Sequence, residues 1–107
     1  MNVLTLIGSL TRDPEMRTVA NGRTVTTFAI ITERPDPVGV LPPENEYHTL
    51  IAWDVLAEST ATHLHRGDLV HVTGALHTRA WEDDRHIRHY KTEVIVERVL
   101  VIKKVLS

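Results

Sequence analysis

The stretch YHTLIAWDVLAESTATHLHRG, residues 47–67, decides the fold because a strand pattern is followed at once by a helix pattern. Its first seven residues alternate, which is typical of a strand. One face carries Tyr47, Thr49, Ile51 and Trp53, and the other carries His48, Leu50 and Ala52. Both faces hold large apolar groups.

The helix pattern begins where the alternation ends. Asp54 is a residue type that caps helices, and Gly67 can adopt the left-handed conformation that ends one. The apolar positions between them fall on one stripe: Leu56, Ala57, Ala61 and Leu64. A helix this short is marginal alone, so we expect it to pack against the sheet.

Two strands are predicted before this stretch. The run Asn2 to Leu10 is rich in Leu and β-branched residues and ends in the polar turn residues 11–14. Asn21-Gly22 predicts a tight hairpin turn, and Thr24 to Thr32 reads as the strand that follows it. From Glu33 to Asn45, four prolines and several acidic residues predict a long mobile loop.

Two more strands are predicted after the helix. Alternation resumes from Leu69 to Thr78, and the face that carries His71 and His77 continues to Arg79 and Trp81. An acidic turn at 82–84 leads to a last strand region, Ile87 through Leu106. Three strands, a helix and two strands predict an all-β, five-stranded antiparallel OB-fold barrel. Residues 1–107 are interpreted as one domain, with no internal repeat.

The amino-acid composition excludes several classes of function. The chain has 42% hydrophobic and 24% charged residues, a formal charge of −2 and no cysteine, which excludes disulfide scaffolds, thiolate metal sites and cysteine nucleophiles. No apolar run is long enough to span a membrane and no signal peptide precedes the first strand, so we expect a soluble cytoplasmic protein. Residues 55–107 hold eight Lys and Arg against seven acidic residues and six of the seven histidines, which favours that half for an anionic partner.

Candidate chemistry lies in the aromatic residues. Tyr47 and Trp53 share a strand face, and Trp81 shares its face with Arg79 and His77. Aromatic rings bordered by cations are what single-stranded nucleic acid needs, although each ring could equally belong to the core. Phe28 is expected in the core.

The histidine spacing and the enzyme motifs give little support for a metal site or an enzyme. His63 and His65 lie two apart, His86 and His89 three apart, and no third ligand closes a metal site at either pair, so no metal or other cofactor is expected. Neither a phosphate-binding glycine loop nor a nucleophile elbow is present, which argues against an enzyme.

Five segments together resemble the bacterial single-stranded DNA-binding protein (SSB) family. They are LIGSLTRDPEMR (6–17), NGRTVTTFAI (21–30), EYHTLIAWDVLAE (46–58), LHRGDLVHVTGALHTRAWED (64–83) and HYKTEVIVE (89–97). The resemblance implies an OB domain that binds single-stranded DNA with little sequence preference, usually as a homotetramer, and is associated with the nucleoid.

The resemblance also implies site residues. Stacking positions fall on Tyr47, Trp53 and Trp81, and basic positions fall on Arg17, Arg66 and Arg79. His77 stands where the family tends to have a basic residue. Subunit contacts are implied for His48 and for the first strand, including Asn2, Leu4 and Leu6.

Departures from the family pattern weaken the expected DNA contacts. The loop 33–45 has no aromatic residue, and Thr49, Val55, His77 and Ala80 replace basic positions. The family's linker and acidic terminal motif do not follow Val105-Leu106-Ser107, so tail-mediated protein partners are not expected.

Three functions remain open on the sequence. The leading hypothesis is a non-enzymatic protein that protects unwound DNA in replication, recombination or repair. The alternatives are a primosome-type accessory OB protein and an oligomeric OB scaffold with weak or lost DNA binding.

Overall fold

The computed structural model describes residues 1–105, which form six strands and one helix. The strands are β1 (Leu4–Leu10), β2 (Glu15–Thr18), β3 (Thr24–Arg34), β4 (Glu44–Trp53), β5 (Leu69–Glu82) and β6 (Arg88–Lys103), and the helix is α1 (Asp54–His63). Five strands correspond to the predicted ones, and β2 is an additional short strand. The predicted last strand reached Leu106, which lies outside the described residues. Within residues 1–105 no helix is long and apolar enough to cross a membrane.

The five long strands form a closed ring. β1 pairs with β5, β5 with β6, β6 with β4, β4 with β3, and β3 returns to β1. This topology, with α1 between β4 and β5, confirms the predicted OB-fold. The ring closes at two narrow contacts: β1 and β3 pair at Ser9↔Ile31 and Leu10↔Ile30, whereas β4 and β6 pair in parallel at Leu50↔Val94 and Ile51↔Ile95.

Two glycines allow neighbouring strands to approach closely: Gly8 where β1 meets β3, and Gly74 at the register shift between β5 and β6. A Cβ added to Gly8 would lie 2.3 Å from the carbonyl oxygen of Ile31, and one added to Gly74 would lie 2.2 Å from that of Ile95. Both distances are far below van der Waals contact. Any side chain at either position would therefore push the strands apart.

The predicted hairpin turn is confirmed. β2 lies along the same edge of β3 as the end of β1, and residues 19–23 connect β2 to β3. Gly22 adopts a φ of +84°, and the Val19 N–H donates to the Arg23 carbonyl oxygen at 2.9 Å. The glycine supplies the left-handed conformation that the turn requires.

The predicted ends of the helix are wrong in detail. Asp54 does not cap α1, because its carboxylate accepts hydrogen bonds from the Arg23 guanidinium instead. α1 ends at His63, four residues before the predicted stop at Gly67, and Gly67 lies in the following turn. Gly67 is left-handed there (φ +90°), and its N–H donates to the carbonyl oxygen of Leu10 at 2.9 Å.

The core fills the ring beneath α1. Its buried members are Leu10, Phe28, Ile30, Leu50, Ala52, Leu64, Val70, Val72, Val94 and Val96, with Leu4, Leu6, Leu56 and Val99 packed against them. The buried residues of α1 are Ala57 and Thr60. The buried Thr26 hydroxyl donates to the Ala57 carbonyl oxygen at 2.7 Å, which anchors the helix to β3. Phe28 is in the core, as expected.

The loop between β3 and β4 is shorter than predicted. Glu33 pairs with Asn45 and Arg34 with Glu44, so both predicted loop ends belong to the sheet and the connection spans residues 35–43. Within it, the Asp36 carboxylate accepts the N–H groups of residues 40 and 41 at 2.9 and 3.1 Å. These hydrogen bonds lower the pKa of Asp36.

A buried carboxylate fastens the end of the described chain to the start of β5. Asp68 is 0% exposed and accepts the N–H groups of His65 at 2.9 Å and Val105 at 2.8 Å. The Lys104 ammonium completes the arrangement at 2.6 Å. We call these four residues the clasp.

Candidate nucleic-acid interface

The predicted alternation of β4 is confirmed. Leu50 and Ala52 are fully buried in the core, so Tyr47, Ile51 and Trp53 lie on the outer face. Tyr47 is 71% exposed, whereas Trp53 is half-buried. This outer face gives the interface its apolar floor.

A groove of about 410 Å³ crosses this outer face where β4 meets β6. Its lining residues are Arg17, Val25, Thr27, Ile51, Trp53, His77, Arg79, Lys91, Glu93 and Ile95. Four predicted site residues are therefore brought together from three strands: Arg17 of β2, Trp53 of β4, and His77 and Arg79 of β5. The groove combines an indole ring with three cations and one acid.

The acid is the most buried charged group of the groove. The Glu93 side chain is 7% exposed and accepts a hydrogen bond from Arg79 Nε at 2.8 Å. The Lys91 ammonium lies 3.9 Å from its other oxygen. The Arg79 guanidinium also lies 4.6 Å from the centre of the Trp81 ring, in cation–π range.

Trp81 lies on the hairpin arm formed by the end of β5 and the start of β6. It is 41% exposed and stacks on His89, with the ring centres 5.4 Å apart and the planes 22° from parallel. His89 Nε2 lies 2.7 Å from an Asp83 carboxylate oxygen. That hydrogen bond, with the N–H groups of Ile87 and Arg85, lowers the pKa of Asp83. The turn thus holds His89 against the indole.

A different cation, Arg23, lies over the Trp53 ring. The Arg23 guanidinium lies 4.5 Å from the ring centre and forms a salt bridge of 2.8 Å with Asp54. The same hydrogen bond lowers the pKa of Asp54 and raises that of Arg23. Asp54 takes a left-handed φ of +56°, a conformation that Asp tolerates better than most residues.

Besides Trp81, two predicted binding residues do not line the groove: Tyr47 and Arg66. Tyr47 continues the outer face of β4, roughly 20 Å along the strand from Trp53. Arg66 lies in the turn before β5, where its N–H donates to Asp13 at 2.8 Å. Most of β5 separates it from Arg79, roughly 30 Å along the strand.

The predicted subunit-contact residues are placed as follows. Leu4 and Leu6 pack against the core, and Asn2 exchanges two hydrogen bonds with the backbone of Leu76, at 2.7 and 2.9 Å. His48 is half-buried, with Nε2 3.0 Å from the Thr32 hydroxyl. The exposed apolar residue of β1 itself is Ile7, at 54%.

Sequence reasoning missed three charged residues of the site: Arg23, Lys91 and Glu93. The register of the β5–β6 hairpin could have found two of them, because it sets Lys91 opposite Arg79 and Glu93 opposite His77. No local signal pointed to Arg23, which reaches Trp53 only through the pairing of β3 with β4.

The histidine pairs have other neighbours. His63 Nδ1 lies 2.9 Å from the Ser59 carbonyl oxygen, and His65 Nδ1 lies 3.3 Å from the Lys104 ammonium. Across residues 1–105 no group of three or more His, Cys, Asp or Glu side chains is arranged to hold a metal ion.

A ring of five strands with one helix and an outer-face groove of rings and cations defines the class of oligonucleotide/oligosaccharide-binding folds. Within that class, residues 1–102 match the single-strand binding protein family. The chain therefore belongs to this family.

Curated relatives agree with the match. The chain is 36% identical over 98 residues to single-stranded DNA-binding protein 1 of Chlorobaculum tepidum, covering 89% of this chain and 60% of the relative. It is 37% identical over 99 residues to the single-stranded DNA-binding protein of Caldanaerobacter subterraneus, covering 92% and 66%. The chain thus spans less than two thirds of the length of these relatives.

A solved structure confirms the fold. The Plasmodium falciparum SSB in complex with ssDNA superposes with a TM-score of 0.86 at 24% sequence identity. The superposition covers 96% of each chain.

Proposed function

We propose that this chain binds single-stranded DNA with little sequence preference and protects or organises unwound strands in replication, recombination or repair. The observation that carries the proposal is the groove, where Trp53 lies among Arg17, Arg79 and Lys91. A base can stack on an indole while the cations neutralise the backbone, and stacking contributes about 1–3 kcal/mol per base. The two curated relatives carry single-stranded DNA binding in their names.

Sequence tolerance follows from the same chemistry. Every base has a π-face, whereas reading a base requires hydrogen-bond donors and acceptors directed at its edge. The stacking rings we propose are Trp53, Trp81 and Tyr47. The proposed phosphate-binding groups are Arg17, Arg79 and His77, joined by Lys91.

Fluorescence titration tests the proposal directly. Both tryptophans of the chain are at proposed stacking positions, so oligo-dT should quench the emission, and duplex DNA of equal length should quench it far less. Absence of quenching by oligo-dT at low salt would contradict the proposal. That result would favour the oligomeric scaffold, which the pairing of Arg79 and Arg23 with carboxylates makes the second candidate.

We also propose that the protein self-associates, as a dimer or a homotetramer. Along β1, residues 4–8 pair with β5 on one side, and pairing with β3 on the other begins only at Ser9, which leaves a sheet edge for a second copy. Sedimentation at micromolar concentration should show an oligomer, and His48→Lys should loosen it. A monomeric parent protein would contradict this proposal.

The proposed role is not catalytic and places the protein on unwound DNA in the cytoplasm. Incubation of labelled oligo-dT with the protein and Mg²⁺ or Mn²⁺ should leave the strand intact. Reproducible cleavage that a groove variant abolishes would overturn this.

A further inference from the structure

One feature of the groove is not explained by DNA binding. Glu93 is almost completely buried between two cations that a phosphate would need. Arg79 donates its Nε to one carboxylate oxygen, and Lys91 lies 3.9 Å from the other. Negative charge therefore already occupies the centre of a surface that should attract negative charge.

Stability does not account for this carboxylate. Burying the Glu93 carboxylate costs desolvation that its attraction to two half-exposed cations repays only in part, and apolar residues of similar volume often serve a buried site as well or better. Ile51 and Ile95 line the same groove, so the surroundings of Glu93 are partly apolar. An apolar residue could therefore serve a purely structural role at this position without the cost of a buried charge.

Building on the proposed function, we propose that Glu93 is a built-in competitor for the DNA backbone and sets the affinity of the groove. A carboxylate and a phosphate accept hydrogen bonds from the same guanidinium and ammonium donors. A strand entering the groove must therefore share Arg79 and Lys91 with Glu93 or displace it. The affinity of the groove for DNA is therefore lower than its cations alone would give, and the bound DNA strand is released more readily.

Two substitutions test whether Glu93 competes with the DNA phosphates for Arg79 and Lys91. Glu93→Gln keeps an oxygen that accepts from Arg79 Nε but removes the charge, whereas Glu93→Ala removes both. If Glu93 competes, both variants bind oligo-dT more tightly, by about three- to tenfold at low salt. The slope of log affinity against log salt should steepen by about 0.7 for each additional phosphate contacted.

Glu97→Gln is the matched control. Glu97 lies on the same strand, is exposed and is not part of the groove, so the substitution changes the net charge equally. It should leave affinity within about twofold of the parent if only long-range screened charge is altered. Thermal unfolding of every variant checks that the fold is retained, and Glu93→Asp provides a charged variant should Glu93→Gln and Glu93→Ala both unfold. With its shorter reach from Arg79, Glu93→Asp should also bind more tightly than the parent.

The Arg79→Gln background completes the test. If Glu93 acts by occupying Arg79, adding Glu93→Gln to Arg79→Gln should give a smaller gain than it gives in the parent. An unchanged or weakened affinity of Glu93→Gln, with the parent binding normally, would overturn the competitor role alone. If neither the parent nor any Glu93 variant binds oligo-dT, the proposed function fails as well. Binding by Glu93→Gln but not by the parent would support the competitor role and contradict the function proposed for the parent.

Discussion

The clasp and the groove each contain a buried carboxylate beside a cation, yet they are built differently. In the clasp, Asp68 is held by Lys104 and by two backbone N–H groups. In the groove, the cations that hold the Glu93 carboxylate are side chains, those of Arg79 and Lys91. Backbone donors cannot turn away without unfolding, whereas side-chain donors can exchange one anion for another. The clasp is therefore suited to a permanent contact, whereas the groove is suited to the exchange of one anion for another.

The titration of Asp68 reflects that permanence. Burial by itself raises the pKa of Asp68, but the hydrogen bonds from Lys104, Val105 and His65 outweigh it and lower the pKa to about 2. Because the folded value lies below the ordinary value of 3.8, the ionised carboxylate stabilises the folded state. Its contribution is complete above about pH 4 and is lost as the pH falls through 2.

The largest expected effect breaks the clasp. Asp68→Asn should lower the free energy of unfolding at pH 7 by about 2–4 kcal/mol, because it leaves buried donors unsatisfied and Lys104 unpaired. The deficit relative to the parent should shrink between pH 4 and pH 2, where Asp68 itself becomes protonated. Asp84→Asn, at an exposed position of the hairpin turn, serves as the control. Equal stability of the two variants in denaturant titrations at pH 7 would show that the clasp contributes little.

The second prediction removes the stacking rings. Trp53→Ala and Trp81→Ala should each weaken oligo-dT binding by about 1–3 kcal/mol while the fold is retained. Tyr90→Ala is the control, because Tyr90 is 66% exposed but pairs with Ala80, one position out of phase with Trp81. Fluorescence anisotropy of labelled oligo-dT gives the affinities, and circular dichroism checks folding. If both tryptophan variants unfold, the rings belong to the core.

The third prediction is that the DNA affinity of the groove depends on pH in a range where the clasp does not titrate. A histidine ordinarily titrates near pH 6.5, and phosphate favours its protonated form. His77 lines the groove with Arg79, Lys91 and Glu93, so affinity for oligo-dT should rise by about two- to fivefold from pH 8 to pH 6, with a steeper salt dependence. His77→Gln should blunt both effects. Identical affinities and salt slopes at the two pH values would show that the histidines take no part.

The smallest expected effect distinguishes two arginines that the family resemblance treated alike. Arg66→Ala should change affinity by less than about twofold, because Arg66 lies far from the groove, whereas Arg79→Ala should lower it by about three- to tenfold. Both substitutions remove one positive charge, so each controls for the other. A larger loss for Arg66→Ala would extend the DNA path beyond the groove to the start of β5.

Local patterns were sufficient for most of the fold and half of the site. The alternation of β4 places Leu50 inside and Trp53 outside whatever the rest of the chain does, and the Gly22 turn is equally local. Asp54 misled because its carboxylate is taken by Arg23, 31 residues earlier, and no local rule anticipates that competition. Glu93 was missed for a different reason, since its partners follow from the register of the β5–β6 hairpin and not from its own strand.

The narrow parallel contact between β4 and β6 also has a dynamic consequence. Two residue pairs join these strands there, and Ile51 and Ile95 from that seam line the groove. Amide hydrogens along the seam should exchange with solvent through local opening, well before the long β5–β6 ladder yields. A single-stranded DNA lying across the groove would contact both β4 and β6 and would hold them together at this seam. The protection of amide hydrogens that DNA binding adds should therefore be concentrated at this seam rather than spread over the whole ring.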